Sequence, residues 1–263
     1  MWLQASTCII SDVITYPDIL WRVMRTFGIE IEMVGRTRHT IAKVVHSVIG
    51  GKEPKHVVDQ EDESITHEEV LAPGGSIPWK VEDDDSLPAA ENLRAELVSP
   101  ILTEDDIKTL KSVVAAVAKT GARTNPYCGV HVHIGAEDSS VEDICRLIDV
   151  MIDEEPKLVK DFRCSPRRLR SFSKLIFPGF VRRFRKRRPR TGVELERLWY
   201  GRPTVPTSRS DRYHRSRYRG LNLQSYFYRF TVEFRYFDSS LDPVQIEAYV
   251  RRCINIANKA GMP

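Results

Sequence analysis

Cysteine is scarce and scattered: Cys8, Cys128, Cys145, Cys164 and Cys253 are odd in number and form no Cys-x-x-Cys pair. That argues against a disulfide framework or a cysteine-built zinc knot and points to reduced thiols in a cytoplasm. Long apolar runs are missing as well. Nothing approaches the roughly 18 consecutive apolar residues of a membrane helix, so no membrane span is expected. The opening MWLQASTCIISDVITYPDILW has no basic segment ahead of its apolar residues, which makes it a poor secretory signal. A Gly-x-x-x-x-Gly-Lys-Ser/Thr loop is absent too, so any ATP must be held without that phosphate cradle.

What is present fits a soluble chain: 263 residues, 41% hydrophobic and 29% charged. That is one large domain or two small ones. The net charge of +4 conceals a split. Residues 1–150 carry 14 Lys and Arg against 25 Asp and Glu, and residues 151–263 carry 26 against 11. Carboxylates suit metal ions and arginines suit phosphates, so one site could draw on both halves. An acidic domain beside a nucleic-acid arm is the other reading.

Residues 1–25 show no period and read as an N-terminal extension, with Met24 a second candidate start; 26–263 read as a single domain. FGIEIEMV (27–34) alternates as a strand. HTIAKVVHSVIGG (39–51) has helical spacing and stops at Gly50-Gly51. Residues 52–76 read as charged, with APGGS as a loop. Short strands follow at 77–87, ending in an acidic turn, and at 93–102. Thr103 and Ser140 each cap a helix, the second over VEDICRLIDVMIDEE, with CGVHVHIG (128–135) as a strand between them. Residues 163–218 read as long Arg-rich loops with short helical pieces such as 193–200. RGLNLQSYF and FTVEFRYFD read as strands, and Asp242-Pro243 starts a last helix that Gly261 ends. Polar residues recurring in alternating strands suggest an α+β fold: a mainly antiparallel sheet with one functional face and helices on the other.

The chemistry lies in that alternation. Glu30 and Glu32 share a strand face, about 7 Å apart. Glu96, the pair His131 and His133, and the pair Glu233 and Arg235 repeat the habit on three more strands. One strand of this kind is usually a solvated face. Four are better explained by a shared polar cavity. Carboxylates suit Mg²⁺ or Mn²⁺; zinc would want a third histidine or a cysteine in register, and Cys128 is off the pattern. Arginine forks match phosphate oxygens. Metal, arginines and no evident nucleophile are the tools of phosphoryl transfer.

FGIEIEM, WKVEDDDSL, AELVSPIL, CGVHVHIG, YRGLNL and TVEFRYFDSSLDP, in this order over residues 27 to about 258, resemble the amidoligase family, relatives of glutamine synthetase and glutamate–cysteine ligase. The resemblance implies a curved antiparallel sheet around the active site. It also implies ATP- and Mg²⁺-dependent joining of a carboxylate to an amine through an acyl phosphate. Glu30, Glu32, Glu96, Glu233 and His131 would then bind metal. His131, His133, Asn222 and Arg235 would meet the nucleotide, and Arg235, Glu233 and Arg217 would serve catalysis. Asp85, crowded by Asp83 and Asp84 in the same turn, would lie near the substrate, an amino acid, peptide or protein carrying a carboxylate plus an amine.

RRFRKRRPR (182–190) supports a rival class, a nucleic-acid- or polyanion-binding protein on a ligase-like scaffold. A metal-dependent amide hydrolase is a third reading.

Overall fold

The computed structural model describes residues 25–58, 65–201 and 214–263. The extension expected over 1–25 lies outside these apart from Arg25. That residue belongs to the fold: its guanidinium donates to the carbonyls of Met262 and Pro263 and to Asn258 Oδ1 at 2.7–2.9 Å.

The first strand, β1 (Phe27–Val34), alternates as its sequence requires. Phe27, Ile29, Ile31 and Met33 enter the core and leave Glu30 and Glu32 on the other face. Helix α1 (Arg38–Ile49) starts on Thr37, whose hydroxyl accepts the Thr40 N–H, and stops at Gly50 with φ 70°, a conformation only glycine adopts without strain. Strands β2 (Lys55–Val58), β3 (Ile65–Val70), β4 (Trp79–Glu82) and β5 (Arg94–Val98) follow, then α2 (Ile107–Lys119), β6 (Gly129–Gly135) and α3 (Val141–Asp161). Three short helices come next, α4 (Pro166–Ser171), α5 (Pro178–Arg187) and α6 (Gly192–Tyr200). The chain closes with β7 (Leu221–Asn222), α7 (Gln224–Arg229), β8 (Thr231–Asp238) and α8 (Pro243–Lys259).

Among the described residues, eight strands form one open sheet in the order β2-β3-β4-β5-β1-β6-β8-β7, every pairing antiparallel. The apolar face shares a single core with the helices, through residues such as Ile41, Val113, Leu147 and Val250. Each such side chain, fully buried, contributes about 1.5–3 kcal/mol. The polar residues of β5, β1, β6 and β8, adjacent strands in the sheet, are therefore left on the opposite face.

Three expectations need correction, and the charged stretch 52–76 holds strands that its composition conceals. There β2 and β3 form a hairpin that extends the sheet past β4. Ion pairing such as Lys80–Glu69 replaces the apolar alternation that would have marked these strands. The second capped helix continues beyond Glu155, through Pro156, to Asp161. The described part of 163–218 is mainly helical. Ser165-Pro166, Phe177-Pro178 and the Thr191–Glu194 capping box each start a helix, and Phe180, Phe184, Leu198 and Trp199 are buried beneath them. Phe184 of the basic run is thus a core anchor and no platform for a base. Finally, RGLNLQSYF is a strand for only two residues. The Asn222 side chain accepts the Gln224 N–H at 3.0 Å and turns the chain into α7.

Behind the sheet, Glu154 of α3 is gripped by Lys259, Lys157 and Arg252 at 2.7–2.9 Å. The hydrogen bonds from Lys259 and Lys157 pull its carboxyl down from the ordinary 4.5 to about 2. A depressed carboxyl stabilises the fold above its unfolded pKa and loses that contribution as pH falls through the folded value. Acid unfolding should therefore be less steep between pH 4.5 and 2 in Glu154→Gln than in the parent, as read from melting temperature against pH.

Candidate active site

Strand register assembles the polar face row by row. Glu32 stands opposite Glu96, and Glu96 opposite Glu82, so three carboxylates line up across β1, β5 and β4. In the next row Glu30 faces His131. Farther along, His133 faces Glu233, and Glu233 faces Asn222 of β7. A register irregularity between β6 and β8 beside His131 brings in Arg235, whose Nη1 donates to Glu233 Oε1 and lies 3.5 Å from His131 Nδ1.

The contacts are dense. His131 Nδ1 is 2.9 Å from Glu30 Oε2, and its Nε2 is 3.4 Å from Glu32 Oε1. His133 Nε2 lies 3.3 Å from Glu30 Oε1, while its Nδ1 meets the Thr231 hydroxyl at 3.0 Å. Asn222 Nδ2 donates to Glu233 Oε2 at 2.7 Å. Glu32 Oε2 accepts the Gly129 N–H at 2.6 Å. All ten side chains singled out from the sequence, Arg217 and Asp85 included, line one cavity of about 760 Å³.

Burial and the neighbouring charges set the electrostatics. Burial, with Glu30 and Glu32 alongside, pushes Glu96 well above the usual carboxylate range. Burial likewise raises Glu32. Burial would raise Glu30 too, but His133 and His131 outweigh it and hold Glu30 well below. Glu233 is lowered, since Arg235 and the histidines overcome its burial. His133 is raised against its burial by Glu30 and Glu233. A carboxylic acid pushed up by neighbouring carboxylates opposes stability as pH rises above its unfolded pKa. In the absence of added metal, Glu96→Gln should therefore melt higher than the parent at neutral pH, with the difference vanishing toward pH 4.

On the cavity floor three groups of donor atoms lie close enough to share a cation among the described residues: Glu30–Glu96–His131, Glu30–His133–Glu233 and Glu32–Asp84–Glu96, each within 4.8 Å. Both histidines thus join carboxylates, His133 as much as His131. The acidic turn sorts itself as well. Asp83 is held by the Arg94 fork at 2.6 and 2.7 Å. Asp84 reaches Glu32 and Glu96, and Asp85 lines the cavity.

Two arginines escaped the sequence reading. Arg229 at the end of α7 lies 3.8 Å from Glu30. Arg168 is 2% exposed and donates its Nε to the Arg235 carbonyl at 2.9 Å; its Nη2 has no hydrogen-bond partner among the described residues. Asp238 at the end of β8 accepts the Ser165 N–H and hydroxyl at 2.7 and 2.6 Å, which fixes the start of α4 and so the reach of Arg168. A Cβ on Gly129 would stand about 2 Å from that guanidinium. The first glycine of GVHVHIG is the space that admits it. Ser165-Pro166 is a helix-start signal that could have marked α4 in the sequence, but it does not say where the helix docks.

Among the described residues no helix is long and apolar enough to cross a membrane. A family profile described as "Putative amidoligase enzyme" matches residues 23–257. No curated protein and no solved structure gives a significant match.

Proposed function

The chain belongs to the amidoligase family, and from that premise we propose that it is an ATP- and Mg²⁺-dependent carboxylate–amine ligase working through an acyl phosphate on a glutamine synthetase-like sheet. One observation carries the proposal: Glu30, Glu32, Glu96 and Glu233 converge with two histidines and Arg235 on one cavity floor.

The donor set fits a hard divalent ion. Four carboxylates on adjacent strands with an imidazole among them match magnesium or manganese. The buried Nε2 atoms of His131 and His133 lie 3.4 and 3.3 Å from carboxylate oxygens of Glu32 and Glu30 but make no well-aligned hydrogen bond among the described residues, which leaves them able to turn to a ligand. Glu30, Glu32, Glu96, Glu233 and His131 would hold the ions, with His133 beside them. Bound there, Mg²⁺ supplies positive charge that offsets both the glutamates and the phosphates of ATP.

The chain's own residues supply positioning. Arg235, steered by Glu233, directs its fork at the phosphoryl group in transfer, where charge spreads over three oxygens. Arg217 and Asn222 contact nucleotide or substrate from the β7 side. Arg168 adds a buried donor beneath the same region. Asp84 and Asp85 face the amine. The substrate carboxylate attacks the γ-phosphorus and ADP departs; the amine then attacks the acyl carbon and phosphate departs. Holding both partners in one cavity removes the entropic cost of their encounter. The substrates are amino acids, peptides or proteins bearing those groups.

Hydroxylamine tests the intermediate directly, because it intercepts acyl phosphates as hydroxamates whatever the natural amine. With ATP, Mg²⁺ and a panel of amino-acid and peptide carboxylates, hydroxamate should form and should cease when EDTA is added. Absence of hydroxamate across the panel, with ATP still consumed, would overturn the acyl-phosphate route.

A further inference from the structure

On the far side of the sheet from the cavity, His39, His56 and Glu68 meet. The strand pattern fixes the face. Glu68 stands opposite Val81, a core residue, whereas the adjacent Glu69 stands opposite Lys80, which lines the cavity. His56 pairs with Glu68 across the β2–β3 hairpin, and His39 comes from the first turn of α1. His56 Nδ1 lies 2.8 Å and His39 Nδ1 3.3 Å from the same oxygen, Glu68 Oε1. The two rings stack at 5.1 Å with 27° between their planes.

Glu68 is only 2% exposed, and its second oxygen, Oε2, is buried without a hydrogen-bond partner among the described residues. A buried carboxylate with a spare oxygen is costly unless a cation satisfies it. Its neighbours are both imidazoles, and both present Nδ1 to it.

We propose that His39, His56 and Glu68 form a second metal site, for a zinc-class divalent cation, distinct from the carboxylate site in the cavity. Two imidazole nitrogens and one carboxylate oxygen are a borderline donor set that prefers zinc, nickel or copper to magnesium. Donors about 2.0–2.1 Å from a tetrahedral ion stand about 3.3 Å apart, close to the spacings already present. The imidazoles are 43% and 47% exposed, so an ion has a route from solvent and water can complete its shell. Occupied, the site fastens α1 to the β2–β3 hairpin at the sheet's edge.

Zinc itself is the probe, because a histidine ligand is shielded from acylation. In the full chain, diethyl pyrocarbonate should modify His39 and His56 about tenfold more slowly when zinc is bound, with EDTA reversing the effect and equal magnesium giving none. Mapping by mass spectrometry separates these residues from His131 and His133, so zinc caught by the cavity cannot mimic the result. Glu68→Gln should lose the protection, and His56→Ala should lose the zinc-induced rise in melting temperature. Equal modification rates at His39 and His56 with and without zinc would overturn the site, as would full protection in Glu68→Gln.

Discussion

Glu30→Gln is expected to abolish Mg²⁺-dependent ATP turnover, a loss of at least about 100-fold, while the protein stays folded. Glu30 lies 2.9 Å from His131 and 3.3 Å from His133, closer to both than Glu233 at 3.7 and 4.0 Å, and it appears in two of the three donor groups on the cavity floor. Glutamine keeps the shape and removes the charge. Neutralising Glu30 relieves its repulsion of Glu96 but forfeits the attraction of His133 and His131 that holds its carboxyl well below the usual range, so the metal-free melting temperature should fall at neutral pH, and fall less toward acid pH. Glu233→Gln should be equally inactive but less stable, since it leaves the buried Arg235 guanidinium without its closest anion, and breaking a buried pair from one side costs about 3–5 kcal/mol. Steady-state ATPase assays beside thermal melts check both. Turnover like the parent's in both variants would remove these residues from the site.

Gly129→Ala should produce the second large effect. The added methyl would stand about 2 Å from the Arg168 guanidinium, and neither β6 nor the buried arginine can yield cheaply. Overpacking of this kind typically costs about 1–3 kcal/mol. The functional loss should be larger than that instability explains, roughly 100-fold in kcat, because the displaced arginine also supports Arg235 through its carbonyl and lies beside Glu32. Arg168→Met should reproduce the loss of activity in a chain that still has Gly129. If Gly129→Ala is destabilised but fully active below its melting temperature, Arg168 acts only in packing.

The pair of predictions marks where the sequence was legible. Side chains alternate along a strand with period two whatever the strand pairs with. GIEIE, GVHVHIG and VEFRY therefore declare which residues share a face before any register is known. That alternation brought Glu30, Glu32, His131, His133, Glu233 and Arg235 together on paper. Arg168 was illegible for the complementary reason. Its place depends on how α4 docks against the end of β8 through Ser165 and Asp238, a tertiary contact with no periodic trace. Asp84 was indistinguishable from Asp83 and Asp85 until Arg94 claimed Asp83. The β2–β3 hairpin was hidden because His56, Glu68 and Glu69 sit where strands usually carry apolar residues. The polar character that concealed it is also what places His39, His56 and Glu68 together behind the sheet.

The central claim is that the cavity transfers the γ-phosphoryl group of ATP to a carboxylate. The most direct measurement identifies the nucleotide product when the purified chain is incubated with ATP, Mg²⁺ and pooled amino-acid carboxylates and amines. ADP and inorganic phosphate, released in step with an amide product and absent with Glu30→Gln, are the predicted outcome. AMP and pyrophosphate, or turnover indifferent to Mg²⁺ and to Glu30, would contradict it.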